Sequence, residues 1–253
     1  MDLKEYQIDP AFPPDKTELW AGRDKEDDHW VLSHNSLRGE LDELDKCIAA
    51  LSAADRLESW QLDCLSKVWQ YHYEHIQKHH DSEEFTLQPF VGTRVKYPDT
   101  ISNGHKELEL KLDLLHKMVT EELPKQPEKG VAPFAELFSP YKKVLIEHLQ
   151  EEEDTVVPLI HAYFTPEEFK VPGKTMGQTG GHAGSFVYYI GANKFRNETM
   201  GKLGIPFFVW YLAFKGALKE YQDQVIANVT ALQEGKPPEG KKGWLGGIFW
   251  KRL

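Results

Sequence analysis

Cysteine is scarce: Cys47 and Cys64 are the only two in 253 residues. Two thiols make no disulfide framework, and the N-terminal Met1-Asp2-Leu3-Lys4-Glu5 opens no apolar run, so the expected setting is reducing and cytoplasmic. In that setting the sequons Asn197-Glu198-Thr199 and Asn228-Val229-Thr230 are chance matches to a glycosylation signal. Long hydrophobic runs are missing too. The strongest, Leu203 to Phe214, contains Pro206 and falls well short of the roughly 20 residues that cross a bilayer, so the chain is not expected to span a membrane. Positive charge is in the minority, 30 Lys and Arg against 40 Asp and Glu, and the net charge of −10 excludes nucleic acid as the main partner. What is present is a 40% hydrophobic and 12% aromatic composition, enough for a sizeable core in one domain with an extension.

Apolar residues recur at helical spacing over most of the chain, and the expected fold is all-α. Leu37, Leu41, Leu44 and Ile48 lie on a helix from about residue 28 to 51, and a second helix runs from about 55 to 84. A third runs from about 101 to 121, with Ile101, Leu108, Leu112, Leu115 and Val119 on its apolar side. The fourth ends near Tyr163; Pro140 either starts it or kinks it. Residues 1–27 read as an arm lying on an up-down-up-down four-helix bundle over 28–165, and 166–253 as a helical C-terminal extension packed on that bundle. Within the extension, Thr165-Pro166-Glu167-Glu168 predicts a capped helix start, residues 171–184 read as a Gly-rich irregular stretch, and the run from Leu203 to Phe214 is expected to pack on the bundle.

The chemistry-bearing signal is a repeated spacing. His148 is followed by Glu152 and then Pro158, and His79, Glu83 and Pro89 repeat the pattern. Helix residues i and i+4 lie about 40° apart and roughly 6 Å along the axis, so an imidazole and a carboxylate placed this way can grip one cation or bridge two. His80 and Glu84 have the same spacing, and alignment on the trailing proline selects His79/Glu83. His34 and His105 lie near the starts of helices one and three, and the two pairs near the ends of helices two and four. In an up-down-up-down bundle all of them meet at one end. Four imidazoles and two carboxylates converging there predict a metal site.

These residues, in this order, resemble the hemerythrin-like (HHE cation-binding) proteins over roughly residues 28–165. The resemblance implies a four-helix bundle around a non-haem centre of two irons, with His34, His79, His105 and His148 as terminal ligands and Glu83 and Glu152 as bridging carboxylates. Oxygen-carrying members have a further His one turn after the helix-three His; here that position is Glu109, which would make the site more anionic and favour ferric iron. The implied partner is dioxygen or a similar small molecule, in sensing, storage or redox chemistry. Binding is expected rather than efficient turnover, with slow peroxide decomposition or iron oxidation as the accessible side chemistry. A metal-stabilised helical binding or sensor module without turnover is the alternative.

The remaining histidines divide by position. His75, one turn from His79, is either an extra ligand or a hydrogen-bond donor behind one; His72 is core or surface, and His116 an ordinary bundle residue. His182 reads as a loop residue able to fold over the open end of the bundle. Glu151, Glu153 and Asp154 read as a solvated face. The aromatic, basic tail from Gly243 to Leu253 packs on the domain, or docks a protein partner or a membrane surface.

Overall fold

Leu37, Leu41, Leu44 and Leu51 fall on one helical stripe, and all four are fully buried. They belong to α1 (His29–Leu51), whose first turn is capped by Asp28 accepting from the Trp30 N–H at 2.8 Å. α2 (Ser59–Ser82) opens on a reciprocal cap between Glu58 and Gln61, buries Leu65, Val68, Trp69 and Ile76, and runs into a π turn, Glu83–Leu87. α3 (Asp99–Lys117) turns Ile101, Leu108, Leu112 and Leu115 inward, and α4 (Ala132–Tyr163) adds Phe134, Phe138, Tyr141, Leu145 and Leu149. In this computed structural model, which describes residues 2–22, 28–179 and 182–238, most of these side chains share one apolar core. Burying each leucine contributes about 1.5–3 kcal/mol.

The chain is all-helical: among the described residues the one extended pairing is an isolated bridge, Gln7 to Val95. α1 packs on α2, α2 on α3, α3 on α4, and α4 returns to α1. Of a start and a kink at Pro140, the start is excluded, for α4 begins at Ala132 and runs through both Pro140 and Pro158. Each proline forfeits a helical hydrogen bond, and the buried aromatic face from Phe134 to Tyr141 offsets that loss.

The arm forms two single turns, Leu3–Tyr6 and Thr17–Trp20, laid against the bundle. Trp20 is buried, donates its indole N–H to the Phe164 carbonyl at 2.8 Å and stacks on His161. The Thr165/Glu168 cap is reciprocal, Glu168 N–H to Thr165 Oγ1 at 3.2 Å and Thr165 N–H to Glu168 Oε2 at 2.8 Å. It opens α5 (Pro166–Thr179), so residues 171–179 are helical where an irregular stretch was expected. The reason is tertiary: Phe169 and Met176 pack against the buried cluster of Trp20 and Phe164, which holds the helix past Gly173.

Beyond α6 (Ala183–Ile190), the chain is continuously helical from Trp210 to Glu234 through α7 (Lys215–Tyr221) and α8 (Ala227–Glu234), with π turns at Trp210–Phe214 and Gln222–Ile226. Tyr221, Val225, Val229 and Leu232 join the main core. α6 approaches α1 closely at Gly39, where a Cβ would lie 2.2 Å from Tyr189 Cε1, so only glycine admits the tyrosine ring. The run from Leu203 to Phe214 departs from expectation. Trp210 and Phe214 enter a separate small cluster with Val187, Phe195 and Met200, whereas Phe207, Phe208, Tyr211 and Leu212 stay exposed. No helix of the described residues is long and apolar enough to cross a membrane. The tail from Gly243 to Leu253 lies outside the described residues.

Candidate metal centre

Helix phase makes a bridge at the end of α2. With about 100° per residue, Glu83 lies roughly 40° from His79 on one side and 60° from His80 on the other. Its two oxygens therefore face two directions. Oε1 lies 3.1 Å from His79 Nε2 and 4.0 Å from His34 Nε2, and Oε2 lies 3.4 Å from His105 Nε2. Glu152 on α4 is divided in the same way: Oε2 is 3.4 Å from His34 Nε2, while Oε1 is 3.3 Å from both His105 Nε2 and His148 Nε2.

Two groups result. His34, His79, Glu83 and Glu152 offer donor atoms within 4.8 Å of one another, and all four are buried. His80, His105 and His148 form the second group, with the His80 ring stacked on His105 at 4.3 Å between centroids and the His105 and His148 rings 4.8 Å apart. The spacing in the sequence leaves open whether His80 replaces or supplements His79. Adjacent helical residues on either side of one carboxylate serve separate groups, and the signal for it is the run His79-His80-x-x-Glu83.

The donor set fits a cation. His34 Nε2, His79 Nε2, His80 Nε2, His148 Nε2, both Glu83 oxygens and Glu152 Oε2 are buried and make no hydrogen bond, although they crowd one another. So many uncompensated polar atoms are costly unless a cation satisfies them together. Burial alone would push both carboxyls up; the imidazoles outweigh it, holding Glu83 well below the usual range and Glu152 at about 2 despite the charge of Glu83 beside it. Burial keeps His79 neutral, down to about 4, and His80 well below its usual value, with His105 adding to the effect. His105 goes the other way. Against the cost of burial, the hydrogen bond to Glu152 and the charges of Glu83 and Glu152 raise it to about 10, and the hydrogen bond to Glu153 with the charges of Glu152 and Glu83 raises His34.

That division predicts proton release. Without metal, His105 is imidazolium at pH 7, and loading with Fe(II) or Co(II) should release its proton, readable with an indicator dye in weak buffer. For His105 the sign follows from a raised pKa: its ion pairs stabilise the metal-free fold fully below 6.5 and are lost as pH rises through about 10, so metal affinity should climb over that window. Release of no proton would contradict the assignment.

The far nitrogens of the His34 and His105 rings are anchored. His34 Nδ1 donates to Glu153 Oε1 at 3.0 Å, and Arg38 Nη1 donates to the same oxygen at 2.8 Å. His105 Nδ1 donates to Glu84 Oε1 at 3.1 Å. Each bond fixes the ring with Nε2 pointing inward. Glu153 is therefore buried and occupied, not part of a solvated face: α4 places it against α1, a pairing invisible along one helix. Glu109, one turn after the buried His105, is exposed and belongs to neither group. It lines the rim of a cavity of about 410 Å³ that reaches His80, His105 and Glu84. A cavity of about 540 Å³ at Trp60 and Pro127 lies by the other end of α2 and is lined by no histidine.

Gly104 gives His148 its room: a Cβ there would lie 2.6 Å from His148 Nδ1. Gly104→Ala should stabilise the metal-free helix by about 0.5–1 kcal/mol through propensity if the ring swings aside. The displaced ring then serves the second group poorly. Metal stoichiometry after dialysis should drop while the melting temperature of the metal-free chain holds or rises.

Among the described residues, His72, His75, His116 and His182 lie outside both groups. Glu40 accepts from His72 Nδ1 at 3.0 Å through Oε2 and from His75 Nδ1 at 2.7 Å through Oε1, and Tyr141 hydroxyl bonds His72 Nε2 at 2.8 Å. His75 thus pairs with Glu40 on the same helix face as His79. His182 does not close over the site; it stacks on His75 and meets the edge of Tyr71, with burial and His75 holding it down at about 3. His116 stacks on Tyr73.

Searches of curated proteins and of solved structures each found no match. A family description does match: the hemerythrin HHE cation binding domain, over residues 26–160. It spans the four long helices almost to the end of α4 and every residue of both groups, and it implies a bound cation. The chain belongs to the hemerythrin HHE cation-binding domain family.

Proposed function

We propose that this chain is a non-haem di-iron protein that binds dioxygen or a related small molecule, for sensing, storage or redox chemistry. His34 and His79 would hold one iron and His80, His105 and His148 the other, with Glu83 and Glu152 shared between the two groups. The division of both carboxylates between two imidazole groups carries this reading. Imidazole with carboxylate suits iron, whereas a closed zinc site takes thiolates. Cys47 and Cys64 are buried in the apolar core, and burial pushes the Cys64 thiol up to about 11.

The two halves differ in access. The His34 group is closed, and the His80 group meets the cavity rimmed by Glu84 and Glu109. The small molecule enters there, with iron, when bound, supplying Lewis-acid and redox chemistry. The Tyr97 hydroxyl is buried without a hydrogen-bond partner among the described residues, and burial with the charges of Glu152, Glu83 and Glu84 keeps it protonated. The supporting architecture is an up-down-up-down bundle over 28–165, with 1–27 as an arm and 166–253 as an extension, in a cytoplasmic protein. The closed ring of contacts from α1 through α4 supports it.

Elemental mass spectrometry with an absorption spectrum in air tests the proposal. About two irons per chain with near-ultraviolet oxo-bridge bands is the expected result. A single zinc, or no metal in a normally folded protein, would sink it. The buried unpaired donor atoms also favour a second reading, a helical module that metal stabilises without turnover. Loaded protein that melts far above the metal-free form yet ignores both oxygen and peroxide would select it.

A further inference from the structure

The segment after Gly204 is apolar on both sides, and a short helix cannot bury both against one neighbour. Trp210 and Phe214 use one side in the small cluster with Val187, Phe195 and Met200. On the other, Phe208, Tyr211 and Leu212 follow at i, i+3 and i+4 and are 61%, 59% and 79% exposed, with Phe207 at 57% beside them. The Phe207 and Tyr211 rings meet edge to face, 5.7 Å apart, so the residues form one contiguous apolar face.

The charge around this face is opposite to that of the chain. From Lys194 to Lys215 there are four basic residues, Lys194, Arg196, Lys202 and Lys215, against one acid, Glu198, in a protein whose net charge is −10. Lys194, Lys202 and Lys215 are exposed, and Arg196 lies over the Trp210 ring. A second copy docked face to face would bring the same positive surplus against itself, which opposes self-association. An anionic bilayer complements both features, since exposed aromatic and leucine side chains seat among acyl chains while flanking lysines meet headgroups.

We infer that Phe207, Phe208, Tyr211 and Leu212, with their basic flanks, form a peripheral docking face for an anionic lipid surface. The metal centre, at the end of the bundle, is no part of this face. The inference therefore stands apart from the iron assignment.

Co-sedimentation of the full chain with phosphatidylcholine vesicles, with and without about 30% phosphatidylserine, tests it. The native chain should bind the anionic vesicles at least tenfold more than neutral ones. Phe207→Ser/Phe208→Ser/Leu212→Ser should cut binding at least tenfold with unchanged circular dichroism, because all three side chains are exposed. Lys194→Glu/Lys215→Glu should also weaken it and remove most of its salt dependence. Native chain left in the supernatant overturns the proposal, and so does a triple variant that sediments like the native chain, which would assign lipid binding elsewhere. Sedimentation velocity showing a dimer that the triple variant dissolves, with no vesicle binding, would assign the face to a second copy instead.

Discussion

On the proposed two-metal reading, a Glu152→Ala chain is expected to lose both ions rather than one. Glu152 sends Oε2 toward His34 at 3.4 Å and Oε1 toward His105 and His148 at 3.3 Å, so a single truncation takes an oxygen from each group. Changes to residues that merely orient ligands cost about 10–100-fold in affinity, so removing a shared donor should cost at least about 100-fold at both sites. His80→Ala provides the contrast, because His80 serves only the second group and its loss should leave about one ion per chain. Metal content after exhaustive dialysis reads both. Two ions retained by Glu152→Ala would mean that Glu152 does not bridge. Loss of both ions from His80→Ala would mean that the groups do not fill independently.

The second large effect concerns stability. Glu40→Ala should cost about 3–5 kcal/mol, because it strands two buried imidazole N–H groups, those of His72 and His75, that now share one carboxylate. Burial would raise the Glu40 carboxyl, yet His75 and His72 hold it at about 2. A depressed pKa contributes stability that is fully present above about 4.5 and disappears as pH falls toward about 2. Urea unfolding of metal-free protein should therefore show a native chain that weakens through that window and a Glu40→Ala chain, already weak, that changes less. Glu40→Gln keeps one acceptor oxygen and should fall between them. Equal stability of the native and Glu40→Ala chains at pH 7 would show that the two imidazoles find other partners.

Much of this was open to a reader of the residue order, and the reasons are local. The leucine stripe of α1 and the apolar faces of α2, α3 and α4 follow from the 3.6-residue period, as does the sharing of one face by His79 and Glu83 or by His148 and Glu152. The Thr165/Glu168 cap was equally legible, since each partner is reached within three residues. The residue order left Pro140 open as a start or a kink because a proline's penalty is local, whereas the core that Phe134, Phe138 and Tyr141 enter, which carries α4 through it, is tertiary.

What the sequence determined alone was therefore the helices, the end of the bundle where imidazoles and carboxylates gather, and the cation-binding chemistry of that donor set. The tertiary structure decided the rest. It placed His79 and His80 in separate groups on either side of Glu83, anchored His34 on Glu153 and His105 on Glu84, turned Glu109 to the cavity rim, and set Glu40 between His72 and His75. The physical reason is rotation. A helix's own period tells which residues share a face, but only packing against its neighbours sets which way that face turns and which residue from another helix waits opposite.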